Sequence, residues 1–157
     1  MLYIIALVSL LLLPIQRPTD VVKWSVDPAT APVTSGERLT LVVTARIEPG
    51  WKLYAITQPE GGPKPLSFAI PEGSKFQMVS KRIVAPKAKV LKQDENFAVD
   101  THYYEDEAAF TIPATVASNV STGVHTVPLE VTFQACGKEL CLRPFTQKLP
   151  VEVTIRP

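Results

Sequence analysis

Cys136 and Cys141 are the only thiols in the chain, and they sit in the run VTFQACGKELCLRPF with GKEL between them. Three kinds of chemistry are open to such a pair. As a structural staple it closes a loop of about six residues, worth roughly 2 kcal/mol in the chain-entropy treatment, against nearer 4 to 5 kcal/mol for a bridge across a whole domain. A sandwich held by a disulfide normally ties distant strands across its core, and no cysteine lies far away to do that. As half of a metal site the pair would draw on His102 and His125, yet neither histidine shows the tight paired spacing of zinc sites, so both read as surface or loop residues and no metal is expected. As a reagent, the pair would exchange thiol for disulfide, which moves two electrons with no cofactor.

The flanking residues bear on the third option. Cys136 ends one apolar, alternating stretch and Cys141 begins the next, so GKEL is expected to form the tip of a hairpin. Directly opposed residues of antiparallel strands have Cα atoms about 4.5 to 5.5 Å apart, a range that overlaps what a disulfide accepts. Such a pair opens and closes without moving the sheet. A hairpin at the end of a domain is also within reach of another protein's thiol unless something covers it. Staple and reagent both remain open on these residues alone.

The elements that must hold the pair are strands. RLTLVVTARI (38–47) alternates strictly, with Leu39, Leu41, Val43, Ala45 and Ile47 on one face, and a second alternation of Leu149, Val151, Val153 and Ile155 closes the chain. Period two means one buried and one wet face. Shorter candidates are VKWSV (22–26), WKLYA (51–55), LSFAI (66–70), FQMVSKRIV (76–84), AAFTI (108–112) and VPLEVTFQA (127–135), separated by turn signals such as PEGGPKP and PEGS. Fifteen prolines in 157 residues recur too often for long helices. About eight short strands in one domain point to an all-β sandwich. The segment from 86 to 106 keeps little period and carries many charges and amides, which predicts a long, partly ordered loop able to cap a site.

Composition excludes several classes. Sixteen basic against fifteen acidic side chains leave a formal charge of +1 with no basic patch, which gives no reason to expect a nucleic-acid partner. Ser118 and Ser121 lie in no G-x-S-x-G turn, so a serine hydrolase is remote. The uncharged run from Leu2 to Leu13 is shorter than the roughly 20 residues needed to cross a bilayer and fits a secretory signal, with an N-terminal anchor as the alternative. No cysteine follows that run, which excludes a lipoprotein anchor. Residues 1–19 are therefore expected to be signal peptide or anchor and 20–157 the domain, exported to a compartment where disulfides persist.

The run VTFQACGKELCLRPF, with Gln134 two residues before the first cysteine and Pro144 three after the second, resembles the N-terminal periplasmic (alpha) domain family of the thiol:disulfide interchange protein DsbD. PGWKLYAITQPEGGPKPLSF resembles that family's strand and Pro/Gly-rich turn, and DENF followed by YYEDEAAFTIP resembles its cap loop and next strand. The resemblance runs from about Val21 to the end. It implies an immunoglobulin-like β-sandwich with a long cap loop whose two cysteines shuttle electrons from a thioredoxin-like or membrane donor to periplasmic disulfide isomerase-like clients, in traffic that also serves cytochrome c maturation. By position, Cys141 would form mixed disulfides with partners and Cys136 would resolve them. Phe97 would shield the sulfurs, helped by Asp94 and Glu95, and Tyr54 would neighbour the pair. The GKEL spacer is shorter than in the best-known members, and Lys52 stands where an aromatic is common. Because the sequence stops at Pro157, the donor is expected to act in trans. The competing expectation is a non-catalytic immunoglobulin-like binding module with an inert bridge.

Overall fold

A computed structural model describes residues 16–27, 32–79 and 82–157. The predicted signal or anchor segment lies outside these except at its last few residues, and no helix among them is long and apolar enough to cross a membrane. In chain order the elements are α1 (Pro18–Val21), β1 (Val22–Asp27), β2 (Val33–Thr34), β3 (Arg38–Ile47), β4 (Lys52–Tyr54), β5 (Ser67–Ala69), β6 (Phe76–Met78), β7 (Lys89–Asp94), β8 (Val99–Tyr104), β9 (Glu107–Val116), β10 (Gly123–Phe133), β11 (Ala135–Cys136) and β12 (Phe145–Arg156).

They assemble into three four-stranded sheets, ordered β1-β3-β9-β6, β2-β12-β10-β5 and β11-β4-β8-β7. The first two build an immunoglobulin-like sandwich, and period two is the reason. Leu39, Leu41, Val43, Ala45 and Ile47 of β3 and Ala108, Phe110, Ile112, Ala114 and Val116 of β9 turn inward from one sheet. Val127, Leu129, Val131 and Phe133 of β10 and Leu149, Val151, Val153 and Ile155 of β12 meet them from the other. Aromatic rings join the layers: Phe110 lies 5.3 Å from Phe68 and Trp24 lies 5.5 Å from Phe133, centroid to centroid. Rings at these separations, one pair tilted and the other edge to face, attract beyond the area they bury.

The third sheet is what positions the cysteines. Leu53, Ala135 and Tyr104 turn one of its faces into the sandwich core, with Tyr104 packed 5.4 Å from Phe110. Here the sequence expectation needs correcting, because the segment from 86 to 106 is mainly a hairpin rather than an irregular loop. β7 and β8 pair antiparallel, and their register shifts between Leu91 and Asp94. Gln93 at the register shift and Ala98 in the turn take positive φ values of 48° and 56°. A bulge of this kind breaks the alternation by which strands are read from sequence. The proposed strand 76–84 is shorter than expected: β6 ends at Met78, residues 80 and 81 lie outside those described, and Val84 forms an isolated bridge with Thr111.

Candidate functional site

Cys136 and Cys141 are joined in a disulfide, with Cα atoms 4.1 Å apart. The backbone explains the closeness. Gly137 N–H donates to Leu140 O (2.8 Å) and Leu142 N–H to Ala135 O (3.0 Å), which makes the cysteines a non-hydrogen-bonded pair, the type whose side chains approach most closely. The GKEL tip therefore forms as expected. Gln134 fixes this hairpin to its surroundings: its Nε2 donates to Leu142 O (3.2 Å) and its Oε1 accepts from Lys64 N–H (2.8 Å) in the Pro/Gly-rich loop. Trp51 lies under the tip, its ring 3.4 Å from where a Cβ on Gly137 would sit.

The two cysteines are not equally exposed. Cys136 is 1% exposed, whereas Cys141 is partly open to solvent and is preceded by Leu140, which is 49% exposed. What buries Cys136 follows from register. Cys136 pairs with Lys52, and Tyr54 pairs with Tyr103, so Cys136, Lys52, Tyr54, Tyr103 and Thr101 share the face of the third sheet turned away from the sandwich core. Cys136 and Tyr54 are accordingly buried without belonging to the main hydrophobic cluster.

The turn between β7 and β8 folds over this face. Phe97 lies 5.5 Å from the Tyr54 ring, edge to face, and stands outside the sandwich cluster. Asp94 is buried and collects four donors: the Tyr54 and Thr101 hydroxyls (2.8 Å each) and Asn96 N–H and Nδ2 (3.0 Å each). Burial alone would push its carboxyl up, but the hydrogen bonds from Asn96, Thr101 and Tyr54 outweigh that and hold it below the usual carboxylate value. Burial, with Asp94 as hydrogen-bond acceptor, drives the Tyr54 phenol far above its ordinary value, so the hydroxyl stays a donor. Glu95 is exposed in the same turn.

Lys52, Asp94, Glu95, Gly137 and Lys138 line an open cleft of about 350 Å³ between the cap turn and the cysteine hairpin. The Lys52 ammonium sits 5.7 Å from the centre of the Tyr103 ring. Of the residues singled out from the sequence, Tyr54, Asp94 and Phe97 thus come together on the Cys136 face, and Glu95 lies at the cleft's rim. His102 and His125 hydrogen-bond the carbonyls of Thr57 and Ser121, far from any shared ligand set, and no group of three or more metal-ligating side chains occurs among the described residues. Trp51 and Thr101 were not legible as site residues, because their contacts arise only when the third sheet assembles, and Asn96 matters only through Asp94, two residues before it in the turn.

The family model described as thiol:disulfide interchange protein DsbD, N-terminal, matches residues 23–152. The N-terminal periplasmic domain of ScsB from Proteus mirabilis is similar in structure, with a TM-score of 0.54 and 16% identity over 90% of this chain and 49% of that one. This chain thus spans about half of that structure's length, and at such identity the likeness concerns the fold alone. The CssB subunit of the enterotoxigenic Escherichia coli colonization factor CS6, complemented with a donor strand from CssA, aligns over 85% of this chain and 97% of that one at 15% identity and a TM-score of 0.42. No curated protein sequence matches the chain.

Proposed function

The chain belongs to the family of the N-terminal domain of the thiol:disulfide interchange protein DsbD, and from that premise we propose that it is a periplasmic electron-transfer module working through a reversible Cys136–Cys141 disulfide. The observation that carries this reading is the asymmetry of the pair, with Cys136 buried and Cys141 partly exposed at a hairpin tip. An incoming thiolate has a path to Cys141, while Cys136 is kept for the intramolecular step.

In the direction of reduction, a thiolate of a thioredoxin-like or membrane donor, acting in trans, attacks Cys141 Sγ. The Cys136–Cys141 bond breaks, a mixed disulfide forms on Cys141, and the electron pair leaves on Cys136. The donor's second thiol then attacks the mixed disulfide, so the donor ends oxidised and this domain holds two thiols. In the second half, the Cys141 thiolate attacks a disulfide of an oxidised client of the disulfide-isomerase type, and Cys136 resolves the intermediate and restores the bridge. Phe97 and Tyr54 act as a lid on the Cys136 side, Asp94 fastens that lid, and Glu95 borders the opening. No cofactor is required, since each step is thiol exchange.

The test is the thiol–disulfide equilibrium of the folded protein against glutathione and against a thioredoxin-type dithiol. Reversible, single-step interconversion with native circular dichroism in both states supports the module. A bridge that resists both reagents in the folded protein leaves an immunoglobulin-like binding domain with an inert staple.

A further inference from the structure

Breaking the disulfide by attack on Cys141 requires Cys136 to depart as a thiolate, and Cys136 is 1% exposed. A buried anion is unfavourable unless a positive charge or a donor faces it. We infer that Lys52 is that partner: a positioning residue that stabilises the departing Cys136 thiolate and so sets the rate at which the bridge is reduced. The inference rests on the proposed exchange chemistry and adds the residue that governs its leaving group.

Lys52 is directly opposite Cys136 in the β4–β11 pairing. Side chains of directly opposed residues point to the same face, with Cβ atoms about 4.5 to 5.5 Å apart. The other charges near Cys136 are already committed or turned to solvent. Asp94 spends its charge on four hydrogen bonds, and Lys92 pairs with Asp100 at 2.6 Å. Glu95, Lys138 and Glu139 are exposed. Lys52 is half-buried and, among the described residues, joins no ion pair within 4.0 Å; its ammonium rests over the Tyr103 ring on the Cys136 face. A cation held by a ring quadrupole on a flexible stem is free to swing toward a new anion.

In the step itself, a dithiol's thiolate forms the bond to Cys141 Sγ as the Cys141–Cys136 bond breaks. The electron pair goes to Cys136 Sγ, which Lys52 holds as an anion until a solvent proton or the returning intramolecular attack consumes it. A leaving thiol of lower pKa departs faster.

The experiment uses the full chain and two readouts. In Cys141→Ala, the lone Cys136 thiol is titrated by its thiolate absorbance, alone and combined with Lys52→Met, Lys52→Gln or Lys52→Arg. Removing the charge should raise the Cys136 pKa by about one unit, and Lys52→Arg should restore it. In the protein with both cysteines, Lys52→Met should slow reduction by dithiothreitol on the order of threefold, with Lys52→Arg near the parent rate. An unchanged Cys136 pKa in both neutral variants overturns the inference even if the bridge is redox-active. Failure of the parent disulfide to react with dithiothreitol refutes the exchange reading instead, and the thiol titration still decides whether Lys52 faces a charge.

Discussion

Asp94 keeps its charge where water scarcely reaches because donors from Tyr54, Thr101 and Asn96 converge on its two oxygens. Its carboxyl is held below the ordinary value of 3.8 in the folded protein. For a depressed carboxylate, the stabilisation is fully present above the unfolded-state value and disappears as pH falls through the folded-state value. The cap should therefore loosen in acid, and Asp94→Asn should lose stability less steeply below about pH 4 than the parent, in urea titrations run across that range. At neutral pH the same substitution should cost about 1–3 kcal/mol, since it replaces a charged acceptor with a group that also brings donors into the pocket. Phe97 is a different case, because it touches the lid rather than the core. Phe97→Ala should forfeit about 0.5–1.5 kcal/mol of ring contact while speeding alkylation of reduced Cys136, on the face the ring helps to cover, several-fold. A large fall in melting temperature with unchanged alkylation would instead make Phe97 a packing residue only.

The cysteine hairpin and the β7–β8 hairpin form the two sides of the cleft, and they differ in how far they could be read from sequence. The cysteine hairpin was legible because apolar alternation runs up to Cys136 and resumes after Cys141. The cap hairpin was not, since its bulge and the positive φ values of Gln93 and Ala98 spoil the period. β3 and β12 were readable for the opposite reason, their inward residues alternating without interruption. Even prolines fit: Pro128 and Pro150 face each other in the β10–β12 pairing, a position where neither has to supply a ladder N–H. Register is the information a single strand does not carry. That Cys136 opposes Lys52, and that Trp51 lies beneath Gly137, follow from how β11 meets β4. The tip has little slack on that side. Gly137→Ala should be accepted at ordinary contact distance, whereas Gly137→Val should press its branch into the Trp51 ring and cost about 1–3 kcal/mol, read from the shift in urea midpoint.

At the scale of the whole molecule, stability and chemistry are largely separate. The sandwich owes its cohesion to a cluster of rings and aliphatic side chains to which neither cysteine belongs. Phe110, fully buried among Trp24, Phe68 and Tyr104, should cost about 3–5 kcal/mol when replaced by Ala, measured by denaturant unfolding. The bridge closes so short a loop that reducing it should remove only about 2 kcal/mol, so the reduced domain stays folded and able to act as a donor. A fold that survives the opening of its disulfide is what a reversible carrier requires. Whether partners reach this domain through Cys141 is decided by mixed-disulfide trapping. Cys136→Ala and Cys141→Ala are each incubated, folded, with an oxidised thioredoxin-fold client, and the adducts are separated under non-reducing conditions. A stable adduct through Cys141 in the first variant, with little in the second, is the expected result; equal trapping by both variants, or by neither, would contradict the account.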